Sequence, residues 1–435
     1  MVAALLLAAS CAQPADVDPT PEPTPLPEPD PSPDPDPSPD PSPDPSPDPD
    51  PTPDGPLTME QAIKEMGPGW NLGNTLESNS GDLANMWIEA WSSRTPSDYE
   101  TAWGQPVTTR ALIHMFKEAG FGAIRVPVTW YPHMGTITVK VGPNEQGDWK
   151  GSWDPSTWDG YDVDPVWMAR VREVVDYVID EGMYCILNVH HDTGGSDTAW
   201  LTASEQTFSA VRERYASLWT QIADEFKDYP QTLMFESYNE MLDKWGSWCF
   251  ASFGSPDRYD ADGAAEAYAS IGNYAQTFVD AVRATGGANA TRNLIVNTYA
   301  ACSGGGSWSS HLKDPLKQMS LPSDSTTGHI AFEVHSYWDA TNFKQSELND
   351  MFDAIKTYLA SRAPVVIGEW GVTSDTSTAT GMKKAADFAT TFALKAKDAG
   401  YATFWWMGLS DGSDRSVPKW TMPDIKDAIL SAYAQ

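Results

Sequence analysis

Eight times between residues 57 and 435, a short apolar run of strand-like composition is followed by a stretch long enough to turn the chain back on itself. That alternation limits the fold more than any other feature, because each strand must be covered and each following helix can cover one. The runs fall at 69–74, 123–128, 184–189, 233–238, 294–298, 330–335, 365–369 and 402–406. Helical periodicity marks 109–119, 165–181, 206–227, 264–284, 347–362 and 382–399. Eight β-then-α units over about 380 residues predict an α/β fold, a closed (β/α)8 TIM barrel. An open doubly wound sheet is the alternative, but no glycine-rich phosphate loop follows the first run.

The 56 residues before the first unit have another character. Residues 1–11 are an apolar run of Leu and Ala ending in Ala8-Ala9-Ser10-Cys11, too short to span a bilayer, and are expected to be an export signal. Small residues before a cysteine are similar to a bacterial lipoprotein cleavage site, which makes Cys11 the expected lipid-bearing residue of an exported, cell-surface or outer-membrane lipoprotein. An ordinary cleaved signal and a secreted protein is the other reading. In 12–56 nearly every second residue is proline, interleaved with Ser and Asp. Proline fixes φ and removes the amide donor, and the aspartates repel one another, so neither helix nor sheet is expected. The segment predicts an extended, disordered linker of roughly 3 Å per residue, on the order of 100 Å in all. Residues 57–435 are then expected to be the folded domain, the part that would carry any catalysis.

The formal charge of −32 argues against nucleic acid or an anionic membrane surface as a partner. Residues 1–56 hold twelve acids and no base, so −20 remains on the rest. A neutral polymer is indifferent to such a field.

In a (β/α)8 barrel the chemistry gathers at the carboxyl ends of the strands. There the sequence places Asn71 and Asn74, Arg125, His190 and His191, Asn239 and Glu240, Asn297 and Tyr299, His335 and Tyr337, Glu369, and Trp405 with Trp406. Each alone has an ordinary structural explanation, but a barrel needs no such series at strand after strand. Two glutamates at one rim are the minimal equipment for hydrolysing a glycosidic bond. His190, His191 and Asp192 are not read as a metal site, since adjacent strand residues face opposite sides. No cofactor is expected.

The segments Gly69-Trp70-Asn71-Leu72-Gly73-Asn74-Thr75, Ile124-Arg125-Val126-Pro127-Val128-Thr129-Trp130, Leu187-Asn188-Val189-His190-His191, Tyr238-Asn239-Glu240, His335-Ser336-Tyr337 and Gly368-Glu369-Trp370-Gly371 occur in this order across 57–435. Together they resemble glycoside hydrolase family 5, the cellulase family. The resemblance implies a retaining, endo-acting β-1,4-glucanase working by double displacement, with Glu240 as acid/base and Glu369 as nucleophile. It implies that Arg125 and Tyr337 hold Glu369 ionised, that Asn239 binds the sugar 2-hydroxyl, and that His190 and His335 position sugar and glutamates. Trp406, with Trp405 as the other candidate, is the expected stacking floor, and His191, Asn74 and Trp130 are further expected contacts of the substrate.

Substrate class rests on aromatics and loops. Of 19 tryptophans many fall in predicted βα loops, where indoles can stack on sugar rings or merely pack the loops. Insertions near 77–105, 131–165 and 241–262 are expected to wall a cleft that grips a chain internally. The expected substrate is cellulose or a related β-glucan, with xyloglucan, mixed-linkage glucan and β-mannan as alternatives. A surface lipoprotein that only captures glycans is the reading from another class, disfavoured because both glutamates, Arg125, Asn239, His335 and Tyr337 are all present. A monomer is expected. Cys185 is expected to be a buried hydrophobe, and Cys249 and Cys302, in the loops after neighbouring strands, are expected to pair as a disulfide.

Overall fold

A computed structural model describes residues 56–435 apart from 82, 144–146, 148, 155–156, 196–198 and 254–258. The expected signal, Cys11 and the proline linker lie outside the described residues.

Eight parallel strands close into a barrel: β1 (Pro68–Asn71), β2 (Ala123–Val126), β3 (Tyr184–Asn188), β4 (Leu233–Glu236), β5 (Leu294–Cys302), β6 (Ile330–Trp338), β7 (Val365–Val372) and β8 (Ala402–Trp405). The ring closes through β1 against β8, with Gly69 beside Phe404 and Trp70 beside Trp405. The surrounding helices are α1 (Arg110–Ala119), α2 (Pro165–Asp180), α3 (Glu205–Glu225), α4 (Ala261–Ala284), the short α5 (Asp314–Gln318), α6 (Gln345–Ile355), α7 (Ala379–Ala399) and α8 (Pro423–Ala434). Their bounds follow local chemistry. Thr109 caps the start of α1 with its hydroxyl, and Gly120 ends it at φ 106°, a left-handed conformation that glycine takes without strain. The periodicity over 347–362 is one helix in sequence but α6 followed by a π-helical turn, Lys356–Ala360, in the structure.

β1 to β4 end sooner than their apolar runs, while β5, β6 and β7 run further. The extra length comes with register shifts: pairing of β6 with β7 jumps from Val334–Ile367 to His335–Glu369, so Gly368 is a bulge.

The amino-terminal mouth of the barrel is plugged. A helix, Met59–Met66, started by a Thr58–Gln61 capping box, places Met59, Ala62, Ile63 and Met66 in one buried cluster with Ala123, Tyr184, Ile186, Met234, Ala331, Val366, Ala402 and Phe404. Its first amide donates to the Gly328 carbonyl (2.9 Å), just before β6. Gly122, just before β2, has no side chain because a Cβ there would strike the Met66 carbonyl. The opposite mouth carries the long βα loops. The insertion after β1 holds two short helices, Trp87–Trp91 and Pro96–Glu100. That after β2 holds two small antiparallel pairs, Met134–Thr136 with Asp159–Val163 and Val139–Pro143 with Trp149–Trp153.

Candidate active site

The upper interior of the barrel is polar where a parallel sheet is ordinarily apolar throughout. Arg125, on β2, is fully buried and spends all five of its N–H donors there. Nε and Nη2 hold Glu236 on β4 in a bidentate pair (2.6 and 2.8 Å), Nη1 reaches Asn71 Oδ1 (2.9 Å) and Glu369 Oε1 (2.8 Å), and Nη2 also reaches Asn239 Oδ1 (2.9 Å). Burial works against its charge, but Glu236, Glu333 and Glu369 together hold the proton well above the ordinary range. Burial likewise raises Glu236, yet Arg125 outweighs it and keeps that carboxylate below its usual range.

Glu369, on β7 and 4% exposed, accepts from Arg125 and, through Oε2, from the Tyr337 hydroxyl of β6 (2.5 Å). Burial and then the charges of Glu369 and Glu240 push the Tyr337 phenol well above its ordinary range, so it remains a donor. His335 Nδ1 lies 2.9 Å from Glu240 Oε1 and 3.5 Å from Glu369 Oε2, and its Nε2 lies 3.2 Å from Glu333 Oε1. Burial lowers His335, but Glu369, Glu240 and Glu333 outweigh it and push the ring up to about 10. One oxygen of Glu240, one ring nitrogen of His335 and one oxygen of Glu369 all lie within 4.8 Å of one another. Glu240 is the accessible member, with a side chain 24% exposed.

His190 behaves oppositely. Burial, His191, Arg125 and His335 push it well below its ordinary value, and its Nδ1 accepts from Asn188 Nδ2 (3.0 Å), leaving the proton on Nε2, a nitrogen 3.8 Å from Glu369 Oε1. Asn239 gives its carbonyl oxygen to Arg125, so the group it offers a ligand is its N–H2.

Trp406 is half-buried and lies parallel to His190, ring centroids 5.9 Å apart and planes 5° apart. It lines a cavity of about 100 Å³ with Tyr337, Gly371, Met422 and others. Gly73 leaves room for its ring, since a Cβ there would come within 3.0 Å.

Several expectations change. Trp405 is 3% exposed and edge-on to Trp370, and it lines the same cavity as Trp406, which is the more exposed of the two indoles. Trp130 is fully buried, with its indole N–H bonded to the Asn188 carbonyl, and offers no face to a sugar. Asn74 sits in a left-handed turn, φ 59°, whose amide donates to the buried Glu77 carboxylate. His191 is half-buried and packs near Trp103. Asp192 accepts from the amides of Trp130 and Tyr131 and from Trp200 Nε1, so it is spent on the loops. Among the loop tryptophans, 87, 91, 245, 248 and 308 are exposed while 130, 153 and 200 are buried.

The disulfide expected between Cys249 and Cys302 is not formed: both cysteines are free and partly buried. Cys185 is buried as expected.

Sequence reasoning passed over Glu236 and Glu333. Both are fully buried carboxylates inside apolar strands, in Leu233-Met234-Phe235-Glu236 and Ile330-Ala331-Phe332-Glu333. The signal was available, since a glutamate in a strand covered on both faces needs a partner.

Comparison with known proteins agrees with this geometry. The family model described as cellulase (glycosyl hydrolase family 5) matches residues 89–411. Endoglucanase A of Clostridium longisporum is 30% identical over 86% of this chain, which spans 65% of that relative's length. A GH5-4 broad specificity endoglucanase from an uncultured bacterium is 44% identical, with TM-score 0.77 over 87% of this chain and 96% of its own. PbGH5A of Prevotella bryantii B14, whose crystal structure contains a xyloglucan tetradecasaccharide, is 37% identical, with TM-score 0.72 over 87% of this chain and 99% of its own. Each is a protein to which this chain is similar.

Proposed function

For a chain that belongs to glycosyl hydrolase family 5, we propose a retaining, endo-acting β-1,4-glucanase in which Glu369 is the nucleophile and Glu240 the acid/base. The observation that carries it is the approach of one oxygen of Glu240 to within 4.8 Å of one of Glu369, which fits the close carboxyl pair of double displacement rather than the roughly 6.5–9.5 Å that inversion needs for its water. Glu369 attacks the anomeric carbon while Glu240 protonates the leaving oxygen. Glu240 then takes a proton from the water that releases the sugar. Arg125 and Tyr337 fix both oxygens of Glu369 toward the anomeric carbon. Asn239 offers its N–H2 to the 2-hydroxyl, a contact that strengthens as the ring flattens. Trp406 is the floor on which a glucosyl ring stacks.

The substrate reading is a soluble or amorphous β-1,4-glucan chain. Xyloglucan is the second reading, favoured by the oligosaccharide in the similar P. bryantii enzyme. The chain acts as a monomer, exported and tethered to a cell surface through lipid on Cys11 with residues 12–56 as spacer; the support for this lies in the sequence alone. No helix among the described residues is long and apolar enough to cross a membrane.

E240A and E369A, assayed with azide on an activated aryl β-cellobioside, test the roles. E240A is expected to give β-cellobiosyl azide and E369A the α-anomer; the reverse products, or full activity in either variant, would sink the assignment. Reducing-sugar release from carboxymethyl-cellulose, barley glucan, xyloglucan and glucomannan, side by side, tests the substrate, and a strong preference for mannan would reverse it. Globomycin-induced accumulation of the precursor tests the anchor.

A further inference from the structure

We propose that Glu333 is a positioning residue for the acid/base, acting through His335 to keep the Nδ1 proton of that ring directed at Glu240. The inference rests on Glu240 being the acid, as read above. A neutral imidazole has one donor and one acceptor nitrogen, yet His335 presents both nitrogens to carboxylate oxygens, Glu240 Oε1 at 2.9 Å and Glu333 Oε1 at 3.2 Å. Both contacts are met either by a protonated Glu240 donating to Nδ1 or by a pair of His335 and Glu333 that holds one proton more than a neutral ring beside a carboxylate, and the proposal is the second. That proton lies on Nε2, with Glu333 ionised, or on Glu333 Oε1, donating to Nε2. In both arrangements Nδ1–H points at Glu240 Oε1. The proton that Glu240 delivers is then confined to Oε2, rather than drawn onto the ring.

The backbone at Gly368 makes room for this carboxylate. Gly368, the residue skipped by the bulge between β6 and β7, immediately precedes Glu369, and a Cβ there would coincide with Glu333 Oε1. The Gly368 carbonyl is held in turn by Asn71 Nδ2 at 2.9 Å. The second oxygen, Oε2, is buried without a hydrogen-bond partner, which disfavours an ion there and favours a shared proton. Burial and Glu236 accordingly raise Glu333 to about 7. The charged and titratable groups around His335 are Glu240, Glu369, Glu333, Glu236, Arg125, His190, Tyr337 and, opposite it on β5, Cys302.

The test compares leaving groups. E333L is expected to lose at least tenfold in kcat/KM on β-glucan, whose leaving oxygen needs a proton. It should lose less than threefold on a 2,4-dinitrophenyl β-cellobioside, whose leaving group does not. E333Q, which can still bond Nε2 but carries no charge, should recover most of the β-glucan rate at the optimum, and its alkaline limb should move at least half a unit toward acid. Equal losses on both substrates, or no loss on either, would overturn the proposal. E240A is the reference: if it does not itself discriminate between the two substrates, the reading of Glu240 has failed, whereas discrimination by E240A but not E333L defeats only the role of Glu333. Should E333L not fold, ring 15N NMR of the wild-type protein decides: His335 Nδ1 protonated from pH 5 to 8 is expected, and an unprotonated Nδ1 there would refute the proposal.

Discussion

Replacing Arg125 with lysine keeps the charge and removes the fork. The guanidinium makes five hydrogen bonds, to Glu236 twice and to Asn71, Glu369 and Asn239 once each. An ammonium has three donors and no planar geometry, so at least two of these bonds are lost in a site buried from solvent. Bonds to charged partners contribute about 1.5–3 kcal/mol each, so the expected cost is about 3–6 kcal/mol. Spread over an unfolding entropy of about 2.1 cal/mol/K per residue, for residues 56–435, this lowers Tm by roughly 4–8 °C. Activity should fall further than stability predicts, by at least 100-fold in kcat/KM at a temperature where the variant is folded, because Glu369 and Asn239 lose their common anchor. Calorimetry and rates on an aryl β-cellobioside read the two effects separately. An R125K variant that melts within 1 °C of wild type would refute the count of bonds; one that loses stability but not rate would refute the anchoring of Glu369.

Trp406→Ala should weaken β-glucan binding about 2- to 12-fold, from about 0.5–1.5 kcal/mol of lost stacking, with little change in Tm. Trp405→Ala, in the core, should instead cost about 3–5 kcal/mol of stability, so calorimetry of the two variants separates platform from packing. Stability should also fall as pH rises through the alkaline range. His335 is raised from an ordinary 6.5 to about 10 in the folded protein, so its contribution is complete below 6.5 and disappears as pH climbs through 10. Melting curves from pH 6 to 10 should show that decline, and H335Q should flatten it; an equal slope in H335Q would assign the decline to other groups.

Much of this architecture was legible because parallel strands covered on both faces read as apolar runs and their return helices carry a 3.6-residue period. Strand ends were not. The runs through Asn74 and Tyr238 stay apolar past the last ladder bond, whereas β6 and β7 continue beyond His335 and Glu369 through a bulge that no local pattern announces. The residues at the rim were found because polar side chains stand out at strand ends. Glu236 and Glu333 were missed because each lies one layer deeper, where the eye follows the apolar majority. Trp130 misled for the opposite reason: a loop indole near the mouth is as useful for packing loops as for holding sugar, and only its burial decides.

The helix plugging the amino-terminal mouth has a practical consequence for anyone attaching cargo to this enzyme. The folded domain receives its chain at Pro56, at the pole opposite the cleft, so an affinity tag, a binding module or a bead linked ahead of that residue leaves the polymer's path unobstructed. The same plug sets a limit on trimming. Deleting through Met66 would open the floor of the barrel beneath Arg125 to water, so an amino-terminal truncation that keeps full rate should stop before Thr58.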